Sequence, residues 1–299
     1  MIRRLAAFAC AGAIALAMQP SLHAGEVERH HYRITARVRP LVVFWITRDD
    51  VGDAVMTRSR AAEQARYSLL IGSDPDRAPF HINRWGYIEE EIRGAESRLT
   101  GLMTQSDEES ISQAEANIRS QSGGRHPFKV IQATADREQA TSRVRVIAAP
   151  EDYTIRQLPA VLDLAQRESA GGTSRVVRLP DGARPGFLAA IADAMRGGSP
   201  SSIAYVYYGR LYELRRVRSH RIPSFQSGTA AYGPAIAADF VSTCAYDGEQ
   251  TRFSITYGTQ GPFAEVPLRV TYQPRWWMQV ELTIDDPIDP PAPTDGGRR

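Results

Sequence analysis

Apolar and polar residues alternate along much of this chain with a period of two, the pattern of β-strands that cover one face and leave the other in water. The most regular stretch lies near the C-terminus. Trp276, Met278, Val280, Leu282 and Ile284 share one face, and Trp277, Gln279, Glu281, Thr283 and Asp285 take the other. Segments 66–71, 81–93, 98–105, 128–134, 143–148, 174–179, 239–246, 252–257 and 266–272 read as further strands. Segments 203–208 and 211–218 flank Gly209-Arg210, a two-residue connection suited to a hairpin. Residues 41–46 form a continuous apolar run, as in a strand covered on both faces. Asp49 to Asp53 and residues 224–235 have the composition of a turn and a loop.

Helical spacing is confined to the middle of the chain. Ser106-Asp107-Glu108-Glu109 matches a capping box ahead of Ile111, Ala114 and Ile118, and Gly123-Gly124 closes that helix. Thr154 and Gln157 resemble a second capping box, with Pro159 at a helix start and Val161, Leu162 and Ala165 turned inward. Pro185 opens a third helix with Leu188, Ile191 and Met195 on one face, stopped by Gly197-Gly198. The expected class is α+β: a mainly antiparallel, curved β-sheet with about three helices between residues 106 and 197. An N-terminal α+β region over 25–198 would precede an antiparallel β region over 199–286. The Pro-rich end, 287–299, is expected to be disordered.

The first 24 residues change how the rest is counted. Met1-Ile2-Arg3-Arg4 is basic, Leu5 to Met18 is uncharged and apolar, and the stretch to Ala24 ends on a small residue. This is the layout of a secretory signal peptide, and its apolar run is shorter than the roughly 20 residues that span a bilayer. Export to the periplasm or the extracellular space is therefore expected, with no transmembrane anchor after cleavage. The chain has 36 Lys and Arg against 34 Asp and Glu; losing Arg3 and Arg4 leaves 34 of each. Cys10 leaves with the signal, so Cys244 stands alone and neither an internal disulfide nor a cysteine-rich zinc site can form. Zero net charge argues against nucleic-acid partners. Lys129 is the only lysine, and the arginines are spread along the chain, which fits arginine-favouring codon usage better than an anion-binding surface.

Candidate chemistry is sparse. Asp49, Asp50, Asp74, Asp76 and His81 could converge if two turns meet at one sheet end, as a hard-cation site or as an acid/base pair. The same residues are also what turns require. Glu90 shares a strand face with Ile88 and Ile92, so a carboxylate is expected inside the sheet, paired with a residue such as Arg84. His30-His31 is a weak metal hint and more simply a flexible leader. Cys244 lies with Phe240 and Tyr246 on one strand face and reads as an inert buried thiol. Tyr205, Tyr207, Trp276 and Trp277 could line an apolar ligand groove, or be core. No nucleophile elbow, zinc-protease helix, dinucleotide fingerprint or phosphate loop is present, and no metal or cofactor is expected.

The run from Phe253 through Tyr257-Gly258-Thr259-Gln260-Gly261-Pro262 to Val266-Pro267-Leu268-Arg269-Val270 is a strand, a Gly-rich hairpin and another strand, followed by the alternating segment above. Over about residues 200–285 this resembles uncharacterised exported bacterial β-rich proteins, some similar in layout to the half-barrels of lipoprotein carriers. The resemblance implies a curved sheet and carries no functional residue with it. The expected function is that of a non-catalytic envelope protein that binds lipid, another apolar ligand or a partner protein on the sheet. The alternatives are a metal-dependent or acid/base hydrolase using the Asp/His cluster, and a module whose sheet edges bind another envelope protein.

Overall fold

A computed structural model describes residues 27–39, 45–104, 125–168, 171–196, 201–275 and 278–286. The predicted signal, the helix expected after Ser106, Trp276, Trp277 and the tail lie outside the described residues. Fourteen strands form one antiparallel sheet in the order β8-β7-β6-β5-β4-β3-β2-β1-β14-β13-β12-β11-β10-β9. The strands are β1 Val27–Val38, β2 Ile46–Ala61, β3 Gln64–Ser73, β4 Trp85–Arg93, β5 Glu96–Met103, β6 Arg125–Ala135 and β7 Gln139–Pro150. They continue as β8 Thr173–Arg178, β9 Ser202–Tyr207, β10 Arg210–Ser227, β11 Ala230–Cys244, β12 Gln250–Gly258, β13 Pro267–Arg275 and β14 Met278–Ile284. Two meanders, β1 to β8 and β9 to β14, join where β1 pairs with β14, Tyr32 opposite Ile284 and Ile34 opposite Leu282. The regions on either side of residue 198 are thus one continuous sheet.

Among the described residues two short α-helices serve this sheet: α1 Leu158–Arg167 and α2 Phe187–Met195. The α+β expectation is therefore overturned in favour of a nearly all-β fold. Segments with turn composition turned out to be sheet. Asp49 to Val51 bulge out of β2 opposite Thr35, with Asp50 in the left-handed region at φ +57°. The expected loop at 224–235 is the tip of the β10–β11 hairpin, bent by register shifts around Ile222 and Phe225.

The sheet curls until its two ends meet. Gly209, between β9 and β10, lies against Ser142 of β7 and Arg175 of β8, so close that a Cβ there would strike the Ser142 hydroxyl. The terminal strands β8 and β9 pair with one strand each; Arg184 runs beside β9 in parallel, its N–H donating to Ala204 O and its C=O accepting from Val206 N–H. Helix α1 covers the outer face, where Val161 and Ala165 join Trp85, Leu102, Phe128, Val130 and Ile147. Helix α2 lies inside the curl. A second interior core, around Tyr32, Ile34, Val266, Leu268, Leu282 and Ile284, fills the space under the bent hairpin tip, which contributes Phe225 and Tyr232.

Candidate functional site

A helix that is apolar all round belongs in an interior, and α2, with sequence FLAAIADAM, is one. One side places Ala189 and Ala192 against Tyr67 of β3. The opposite side places Ala190, Ile191, Ala194 and Met195 against Ile203 and Tyr205 of β9, Leu214 of β10, Phe240 of β11 and Phe253 and Ile255 of β12. The helix therefore touches both arms of the sheet. At its first residue, the Phe187 ring sits 5.6 Å from Tyr205, 6.0 Å from Tyr207 and 5.9 Å from Phe253, centroid to centroid. Tyr205 shares a 2.6 Å hydrogen bond with Ser242 Oγ and stacks on Tyr212 at 5.3 Å.

Both helix ends carry complementary charge. At the N-terminus Glu90 of β4, 2% exposed, accepts from Leu188 N–H at 2.8 Å and Ala189 N–H at 2.9 Å. Gly186 is required there, because a Cβ would overlap the Glu90 carboxylate. Burial pushes the Glu90 carboxyl up to about 7, against the pull of the helix amides. At the C-terminus Arg216 donates to Ala194 O, and Arg196 pairs with Asp193 at 2.9 Å. A narrow cleft between the two arms, lined by Leu99, Ala133, Ala140, Pro185, Val206 and Tyr207, opens beside Leu99, the register partner of Glu90.

The expected ligand residues Tyr205 and Tyr207 are therefore the seat of α2, and burial raises both phenols above their ordinary range. Trp276 and Trp277 lie outside the described residues. The alternating face that follows them does turn inward, with Val280, Leu282 and Ile284 in the interior core.

The Asp/His cluster separates into distinct contacts. Arg77 gathers Asp50 at 2.5 Å, Asp74 at 3.0 Å and also Asp53, which the sequence reading did not single out. Asp49 instead accepts from Thr35 Oγ1 at 3.0 Å. Asp76 gives only its backbone N–H, to Asp74 Oδ1 at 3.0 Å, and His81 Nδ1 meets Pro75 O at 2.9 Å. The Asp76 amide and Arg77 hold the Asp74 carboxyl below the usual range. Among the described residues no three His, Cys, Asp or Glu side chains are grouped to hold a metal.

Two polar groups were misjudged from sequence. His30 sits in β1, its Nδ1 2.6 Å from Asp286 Oδ2, while His31 N–H donates to Asp286 Oδ1 at 2.7 Å. Far from a loose leader, this pair ties the first strand to the residue just beyond the last. Glu90 faces inward as expected but binds helix amides 98 and 99 residues away instead of Arg84. Cys244 is buried. No protein-family model matches the chain, and no curated protein matches it.

Proposed function

We propose that this is an exported, non-catalytic binding protein that takes up an apolar molecule in the curl of its sheet, in the place α2 holds in the unliganded chain. The supporting observation is α2 itself. It is nine residues long, carries one charged residue, and is tethered by side chains near its ends while its flanks pack against apolar residues of both arms. A space that accepts such a helix has the width, dryness and aromatic lining of an apolar ligand site. The export signal read in residues 1–24 supports an envelope location. The contacts of Asp49 and His81 outside the Arg77 knot favour binding over hydrolysis.

Native mass spectrometry of the full chain purified from its own envelope, followed by solvent extraction, tests this reading. The expected result is a stoichiometric apolar molecule released by the solvent. A ligand-free mass, with no uptake of an added apolar probe such as dodecanol, contradicts it. A stoichiometric partner protein would favour the sheet-edge reading.

A further inference from the structure

The C-terminal end of α2 lies in a corner where several arginines gather. Glu265, on the β12–β13 connection, places its carboxylate 2.9 Å from Arg60 Nη1 and 3.8 Å from Arg196 Nε. Arg58 donates to the carbonyls of Ala264 and Glu265, each at 3.0 Å, and to Glu28 at 2.5 Å. Asp193 is shared between Arg184 and Arg196, and Arg216 donates to Ala194 O. Five guanidiniums (Arg58, Arg60, Arg184, Arg196 and Arg216) thus meet three carboxylates (Glu28, Asp193 and Glu265).

Two of these guanidiniums keep a buried nitrogen without a hydrogen-bond partner, Arg60 Nη2 and Arg216 Nε. A buried donor on a charged group without an acceptor is unfavourable, so donors retained in this state are poised for an acceptor. Glu265 is itself held in an unfavourable backbone state, φ +59°, by hydrogen bonds from its N–H to Gly258 O at 2.9 Å and from Gly258 N–H to Val266 O at 3.0 Å. Such outliers persist where the surroundings impose them and concentrate at binding sites.

We propose that this corner is the headgroup site of the ligand. The anionic group of an amphipathic molecule, carboxylate or phosphate, takes the place of the Glu265 carboxylate on Arg60 and engages Arg216 once α2 withdraws and frees it from Ala194 O. The tail occupies the seat of α2, so the inference rests on the binding function proposed above and adds the ligand's charge. Glu265 acts as an internal substitute for the headgroup while α2 is seated, and planar guanidiniums suit either oxyanion.

Titration of the full chain with dodecanoate, dodecyl phosphate and dodecanol, all below their aggregation concentrations at pH 8, tests the site. Both anions are expected to bind at least about 10-fold more tightly than dodecanol, the effect of one or two charge-assisted hydrogen bonds. The stronger of the two anions identifies the headgroup chemistry. Joint replacement Arg60→Gln with Arg216→Gln should bring the anion-to-dodecanol preference close to one. Glu265→Gln, which removes the competing carboxylate, should raise that preference. Equal binding of dodecanol and the anions by the natural chain, or an unchanged preference in both variants, overturns the headgroup site and leaves apolar binding standing. Binding of none of the three overturns the apolar-binding function and this site with it.

Discussion

Glu90 accepts from the amides of α2, and among the described residues no cation pairs with it, so burial dominates its titration. The phenols of Tyr205 and Tyr207, both on β9, feel its charge. Its carboxyl is raised from 4.5 to about 7 in the folded chain. A raised folded-state value means the unfolded chain loses this proton first. The contribution to stability is therefore complete below about pH 4.5 and disappears as pH rises to about 7. In that window the natural chain should lose up to about 3 kcal/mol through this group. Glu90→Gln should flatten the loss and leave the variant the more stable above pH 7. Urea denaturation at pH 5 and pH 8 measures this, and a loss of equal size in both chains would contradict it. The inward direction of Glu90 was legible from the alternation of β4, since period two fixes the face. Its partner was not, because the amides that receive it are brought there by tertiary folding alone. Asp49 and Asp50 show the reverse problem, since bulges and turns call for the same residue types.

Among the elements, α1 was readable in detail. Thr154 and Gln157 form the reciprocal cap of the 3-10 turn Ile155–Gln157 that leads into it, Thr154 N–H donating to Gln157 Oε1 at 2.9 Å and Thr154 Oγ1 accepting from Arg156 N–H at 3.3 Å, and Pro159 stands in the first turn of α1 itself. These signals are local and need no knowledge of the fold. The seat of α2 was not readable, because its apolar spacing fits a helix on either face of a sheet. Gly186 is the position where that seat is most specific. Gly186→Ala should press a methyl group into the Glu90 carboxylate and destabilise the chain by about 1–3 kcal/mol. Equilibrium urea denaturation gives the difference; a cost within 0.5 kcal/mol of zero, as at an ordinary surface site, would contradict the close approach. The tip of the β10–β11 hairpin, residues 224–235, has the Ser, Gly, Ala and Pro content of a loop, yet Phe225 and Tyr232 carry it over the interior core.

At the scale of the whole molecule, the strand pattern revealed an antiparallel sheet but not its unity. Pairing of β1 with β14 joins residues some 250 positions apart, and no local periodicity records such a partner. The same closure lets the sheet curl around α2, so the helix fills the space that would otherwise be an open groove. The proposed binding function depends on that helix giving way to an apolar ligand while the sheet stays intact. Amide hydrogen exchange of the full chain, with and without saturating dodecanoate, reports this directly. The expected result is faster exchange across Phe187–Met195 in the presence of dodecanoate, with protection of β9 to β12 kept or increased. Saturation that leaves α2 as protected as before would contradict the claim that ligand and helix share one site.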